Sequence, residues 1–205
     1  MKYTTKNKIE SYALKEIDSS FDDVVDGFIK AMSLWVSRYC GDDLIPKRRF
    51  TDPIEGVRKF DGNGKERLEV GDLLEIINIT VNGSEVDYTL YPLNAKMDGE
   101  PYQTIILNDG RCFEKGNGNV EVEAKWGYSE EVPKDVELAT TKLCTAIIKE
   151  SNVKDVREIT SEKFDDYSVK FTEIKNIANS LNVDKLLKPF KRKVDSRATL
   201  GQRQI

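Results

Sequence analysis

Histidine is absent from the 205 residues, and with it go the catalytic triads, zinc sites and near-neutral proton relays that are built on imidazole. Cysteine is scarce. Cys40, Cys112 and Cys144 lie far apart with no CxxC pair, which argues against a disulfide framework or a thiolate metal site and predicts three reduced, buried small hydrophobes. No run approaches the ~20 apolar residues of a membrane span. The start, Met1–Glu10, is charged and polar where a secretory signal needs an apolar segment, so the expectation is synthesis in the cytoplasm and no membrane contact. In that compartment the acceptor-like triplets Asn78-Ile79-Thr80 and Asn82-Gly83-Ser84 carry no weight. A positive surplus is lacking too: 32 Lys and Arg stand against 36 Asp and Glu, a net charge of −4, which disfavours tight general binding to phosphate backbones.

What is there is a charged but foldable chain. Charged residues are 33% and hydrophobic residues 39%, against about 25% charged in an average globular domain. Length and composition predict one domain-sized body with polar excursions. A short helix is expected over Lys6–Leu14. A stronger one follows from Phe21, where Val24, Val25, Phe28, Ile29, Met32, Trp35, Val36 and Tyr39 recur at i, i+3, i+4, i+7. Ser19 and Ser20 supply capping oxygens, Asp22 and Asp23 suit the positive end of the helix dipole, and Gly41 is expected to end the helix in the left-handed conformation.

Between Pro46 and Pro133 the period changes from 3.6 to 2. Strands are expected at Val57–Phe60, Arg67–Val70, Leu73–Val81, Tyr88–Tyr91, Thr104–Leu107 and Val120–Trp126. Turns are expected at Asp61-Gly62-Asn63-Gly64, Asn82-Gly83, Asp109-Gly110 and Gly116-Asn117-Gly118. The order predicts an antiparallel meander and excludes a nucleotide-binding βαβ repeat. A third helix should run from Pro133 to Lys149 and pack on the Phe21–Tyr39 helix, with Pro133 in its first turn. Beyond it come a short strand at Tyr167–Phe171, a helix from Thr172 to about Leu187, and Pro189; Val153–Asp166 has no recognisable pattern. The last fifteen residues set Lys191, Arg192, Lys193, Arg197 and Arg203 against Asp195, a charge of +4 that leaves −8 on residues 1–190.

The constellations that could carry chemistry are weak. Asp61-Gly62-Asn63-Gly64-Lys65 begins like a calcium loop, but Lys65 and Glu66 occupy positions where an oxygen ligand and a turn glycine are needed. The same residues lack the spacing and the following helix of a phosphate loop. The acidic pairs Asp22-Asp23, Glu130-Glu131 and Asp165-Asp166 are explained by helix first turns and a polar turn, although paired carboxylates are also what a glycoside hydrolase uses. Trp35 and Trp126 fall at core positions. Lys47-Arg48-Arg49-Phe50 is a basic cluster suited to a protein contact, a phosphate or a solvated loop. No catalytic, cofactor or metal residues are assigned, and no cofactor is expected.

The order of these pieces resembles a known family. A helix ending Arg38-Tyr39-Cys40-Gly41 is followed by a strand insert, and then Trp126-Gly127-Tyr128 leads through Val132-Pro133 into a helix, as in the head-tail connector (adaptor, or head-completion) proteins of tailed bacteriophages. The middle is similar to that family's larger β-containing members at Phe60-Asp61-Gly62-Asn63-Gly64, Ile79-Thr80-Val81-Asn82-Gly83, Asp87-Tyr88-Thr89-Leu90-Tyr91-Pro92 and Gly118-Asn119-Val120. Later likenesses are Thr160-Ser161-Glu162-Lys163, Asp166-Tyr167-Ser168 and Leu186-Leu187-Lys188-Pro189-Phe190-Lys191-Arg192. The resemblance runs from Ile9 to Lys193 and rests on the order of short, turn-like motifs.

The resemblance implies an α+β fold: a small helical bundle with an inserted antiparallel β-meander and an extended C-terminal tail. The expected divisions are residues 1–45 and 131–190 for the bundle, 46–130 for the insert and 191–205 for a flexible basic tail. It implies a non-enzymatic virion protein at the head-tail interface, whose copies form a ring, typically dodecameric, under the portal, extend the DNA channel and offer a docking platform to the tail. The implied partners are the portal protein, tail or neck proteins and further copies, with DNA passing without sequence-specific binding. Lys191, Arg192, Lys193, Arg197, Arg203, Lys47, Arg48 and Arg49 are the expected protein-contact residues. The competing readings are a non-viral protein-binding adaptor or scaffold and a carboxylate-dependent hydrolase.

Overall fold

The computed structural model describes residues 1–41, 47–108, 110–150 and 171–192. It divides into two units, one of Met1–Lys47 with Pro133–Ile205 and one of Arg48–Val132.

The first unit is helical. Helix α1, Lys6–Ala13, is capped by the Thr5 side chain, which accepts from the Lys8 N–H. Helix α2, Asp22–Cys40, follows a 3-10 turn over Ser19–Phe21. Asp18 caps that 3-10 turn by accepting from Ser20 N–H at 2.8 Å, and no side-chain oxygen, from the serines or elsewhere, caps α2 itself. Gly41 is not left-handed: its φ of −78° and ψ of 177° are extended. The helix tightens instead, with Gly41 N–H donating to Arg38 at 3.2 Å and so satisfying one terminal carbonyl. Helix α4, Lys134–Glu150, packs against α1, α2 and the later helix α6, Val183–Leu187. Pro133 stands just before it, its carbonyl accepting from Glu137 N–H at 2.9 Å.

The expected apolar stripes form this unit's core. Phe28, Ile29, Met32 and Val36 of α2 are buried, as are Val136, Ala139, Leu143 and Cys144 of α4. Burial pushes the Cys144 thiol up to about 12. The N-terminal segment is tied in by polar contacts: Tyr3 OH bonds Ser37 Oγ at 2.6 Å and Thr4 Oγ1 bonds Thr141 Oγ1 at 2.7 Å. The expected helix from Thr172 is two helices, α5 (Phe171–Ser180) and α6 (Val183–Leu187), separated where Asn182 turns to φ 56°. A 3-10 turn over Lys188–Phe190 carries Pro189. Phe171 opens a helix where a strand end was expected; residues 167–170 and the unpatterned 153–166 lie outside the described residues.

The second unit is a sheet of β1 (Ile54–Gly62), β2 (Arg67–Val81), β3 (Ser84–Glu85), β4 (Tyr88–Tyr91), β5 (Tyr102–Leu107) and β6 (Gly116–Trp126), with a single helical turn, α3 (Ala95–Asp98), before β5. Every pairing is antiparallel. The strand order is β1-β6-β2-β5-β4, with β3 folded on β2, so β6 returns between β1 and β2 where a simple meander would keep chain neighbours adjacent. Two expected strands are one: β2 passes through Gly71 at φ 92°, near where its register to β5 slips between Glu69 and Leu73. Asn82 and Gly83 have φ of 52° and 78°, the two positive values that suit a tight hairpin. Gly116-Asn117-Gly118 opens β6 and is not a turn between elements.

Alternation along β6 buries Val120, Val122, Ala124 and Trp126 against Leu73, Ile79, Ile105 and Phe113. Cys112 departs from expectation by being exposed, because its neighbour Phe113 takes the buried place. Taken together, the elements are α+β. Among the described residues no helix is long and apolar enough to cross a membrane.

Candidate functional site

The basic run is divided by burial. Lys47 is exposed and Arg49 half-buried, with Arg49 Nη1 donating to the Asp52 carbonyl at 3.0 Å. Arg48 is 2% exposed. Its Nε and Nη2 donate to the two Asp72 oxygens at 2.7 and 2.6 Å, and its guanidinium lies 4.8 Å from the Tyr128 ring centre. A bidentate pair beneath an aromatic ring fixes Arg48 inside the sheet unit, so the expectation that it meets a partner is corrected. Lys47 and Arg49 keep outward-facing charge.

Of the C-terminal cations, Lys191 and Arg192 lie within the described residues. Lys191 Nζ sits 3.8 Å from the Tyr39 ring centre, and Arg192 N–H donates to the Cys40 carbonyl at 3.2 Å. Lys191 and Arg192 are thus fastened to the end of α2. Lys193, Arg197 and Arg203 lie outside the described residues.

The oxygen-rich sequences are engaged locally. Asp61 Oδ1 accepts from Gly118 N–H at 2.6 Å, while Asn63 accepts from Lys65 N–H and donates to the Arg67 carbonyl, both at 2.8 Å. Asp22 pairs with Lys6 at 2.5 Å, and Asp26 pairs with Lys30 at 2.8 Å and with Lys2. Hydrogen bonds from Lys2 and then Lys30 hold the Asp26 carboxyl below its ordinary range. Glu130 pairs with Lys125 at 2.7 Å, which lowers the carboxyl and raises the amine. Asp165 and Asp166 lie outside the described residues. Among the described residues no group of three His, Cys, Asp or Glu side chains could hold a metal ion.

Sequence reasoning missed the apolar surface of the sheet unit. Ile54 and Val57 on β1 and Tyr91, Leu93 and Met97 at and after β4 are exposed. The available signal was Leu93 and Met97 in a turn-rich stretch with neither strand nor helix periodicity. Along the adjoining faces the charges lean back over the sheet: Lys59 pairs with Glu121 at 2.6 Å, and Arg58 lies 4.1 Å from the Trp126 ring centre, where burial lowers its pKa.

No family model matches the chain. No curated protein matches it either. Among solved structures it is similar to a chain in the neck of an empty GTA particle computed with C6 symmetry, with a TM-score of 0.53 and 12% identity over 93% of this chain and 91% of that one. At that identity the likeness is one of fold: that neck chain shares the α+β fold described above over most of both chains.

Proposed function

We propose that this chain is a structural neck component of a phage-like particle, and within that class a head-tail connector. Copies form a ring beneath the portal, extend the DNA channel and present a platform to the tail. The carrying observation is the fold shared with a particle-neck chain over nearly the whole of both chains. Several features support the reading. In each described acidic pair that a hydrolase could use, one carboxylate is held by a lysine, Asp22 by Lys6 and Glu130 by Lys125. A charge of −8 on residues 1–190 suits a wall that DNA passes without being gripped. A ring of twelve contains the six-fold symmetry of the related neck.

The partners in this reading are the portal, tail or neck proteins and further copies. Lys47, Arg49 and the cations from Lys191 to Arg203 provide protein contacts, without catalysis or cofactor. The test is electron microscopy of the protein incubated with portal-bearing heads that lack it. New ring density at the portal vertex is expected. Heads unchanged by an excess of folded protein would overturn the proposal.

A further inference from the structure

Three stretches of the sheet unit carry the same dipeptide, Asn63-Gly64, Asn82-Gly83 and Asn117-Gly118, and each asparagine is exposed. Asparagine before glycine is where a chain most readily attacks itself, because the glycine nitrogen can add to the asparagine Cγ with no side chain beside it to obstruct the approach. The reaction needs an asparagine side chain free to turn, space for a small ring, and an acceptor for the proton that the nitrogen loses. The three sites differ in what they offer.

Asn63 is tied at both ends of its amide: Oδ1 accepts from Lys65 N–H and Nδ2 donates to the Arg67 carbonyl, both at 2.8 Å. A Cβ on Gly64 would lie 3.1 Å from the Lys115 side chain, and Gly64 N–H donates at 2.7 Å to the Phe113 carbonyl, which cannot carry a proton away. Asn82 is tied in the same way, Nδ2 donating to Glu114 Oε2 at 2.6 Å and Oδ1 accepting from Asn119 Nδ2 at 3.1 Å. Asn117 is different. Its amide makes no hydrogen bond among the described residues. It lies between the Phe60–Val120 and Gly62–Gly116 pairs, where the β1–β6 register slips, and nothing stands within 4 Å of a Cβ placed on Gly118. Gly118 N–H donates at 2.6 Å to Asp61 Oδ1, a carboxylate oxygen, which unlike a carbonyl accepts a proton outright.

We propose that Asn117 is a self-modification site, at which the chain converts its own asparagine to aspartate and isoaspartate with Asp61 as the proton carrier. The Gly118 nitrogen bonds to Asn117 Cγ as its proton passes to Asp61. The Cγ–Nδ2 bond then breaks, and the departing amide nitrogen takes that proton back and leaves as ammonia, so Asp61 ends as it began. Solvent water opens the resulting cyclic imide. Attack at Cγ gives aspartate, and attack at the main-chain carbonyl of residue 117 gives isoaspartate, whose backbone runs through Cβ and Cγ. No group is oxidised or reduced. Either product sets a new negative charge beside Asp61, and isoaspartate also lengthens the chain where β1 and β6 cross. The reaction involves residues of the sheet unit alone and is independent of the neck reading.

The experiment incubates the full chain at neutral pH in water enriched in a heavy oxygen isotope and follows each Asn-Gly peptide by mass spectrometry, with fragmentation that separates isoaspartate from aspartate. In the folded chain Asn117 should convert several-fold faster than Asn63 and Asn82, giving both products with one heavy oxygen in each. Denatured in guanidinium chloride, the chain should convert the three sites at similar rates, since the contacts that rank them are gone. Asp61→Ala and Asp61→Ser, each checked for a native fold by circular dichroism and melting, should slow Asn117 several-fold in the folded chain and leave its rate in denaturant unchanged. Asn63 or Asn82 converting as fast as Asn117 in the folded chain, or the same ranking persisting in denaturant, would overturn the proposal. Full-rate conversion of Asn117 in both folded Asp61 variants would overturn it too, since the proton would then have another carrier. The comparison of folded with denatured chain needs no variant and decides the assignment of Asn117 whatever the Asp61 substitutions do to folding.

Discussion

Lys47, Arg48 and Arg49 stand in one basic run, but the middle residue is set apart by Asp72, twenty-four positions beyond it. The Arg48 guanidinium is buried with two short hydrogen bonds to that carboxylate and the Tyr128 ring beside it. Truncating one partner leaves the other charge buried and uncompensated, so Arg48→Ala should destabilise by about 3–5 kcal/mol. Lys47→Ala, on an exposed side chain, should stay within about 0.5 kcal/mol. Replacing both Arg48 and Asp72 with apolar residues should cost less than either single change. Urea denaturation of these variants, the Asp72 single variant included, beside the unmodified chain checks this, and an unshifted midpoint for Arg48→Ala would show that the pair does not hold the unit together. A run of like charges gives no local sign that one member has a distant partner. The same limit hides Cys112, whose exposure is decided by the neighbouring Phe113 entering the core.

The helical stripe of α2 and the alternation of β6 were legible because burial follows a period that the backbone imposes. What was not legible is where distant segments cross. Gly62 and Gly116 read as turn glycines, yet they meet across the β1–β6 ladder, and Asn119 fastens the crossing by accepting from Gly62 N–H at 2.8 Å and donating to the Glu114 carbonyl at 2.9 Å. A Cβ on Gly62 would lie 1.7 Å from the Glu114 carbonyl oxygen, which is backbone and cannot swing aside. Gly62→Ala should therefore destabilise by about 1–3 kcal/mol through forced displacement. Gly56→Ala in the same strand, with nothing within 4 Å of the added carbon, should be neutral or stabilising by up to about 1 kcal/mol. Thermal melting separates the two; equal melting temperatures would show that the close approach is relieved at no cost. The strand order was hidden for a related reason: the return of β6 between β1 and β2 is a long-range pairing that no local period encodes.

At the scale of the whole chain, charge separation was visible at once, with −8 on residues 1–190 and +4 on the last fifteen. The structure refines where that separation begins. Lys191 lies over the Tyr39 ring and the Arg192 backbone N–H bonds the Cys40 carbonyl at the end of α2, so the connector reading is tested on the cations beyond them, Lys193, Arg197 and Arg203, set against Asp195. Removal of residues 193–205 leaves those two engagements in place and should leave melting nearly unchanged. In the proposed neck it takes away positive charge that meets an acidic surface of the portal or of a neighbouring copy. Attachment of the truncated chain to portal-bearing heads should fall at low salt. The full chain should lose the same increment as ionic strength rises, because the Debye length shortens from about 30 Å at 0.01 M to about 8 Å at 0.15 M. Above that range the two proteins should bind alike. Quantifying head-bound protein over a salt series checks this: equal attachment of both proteins at low as well as high salt would show that these cations meet no acidic partner, while a loss in the truncated chain that salt does not reproduce in the full one would show contacts other than charge.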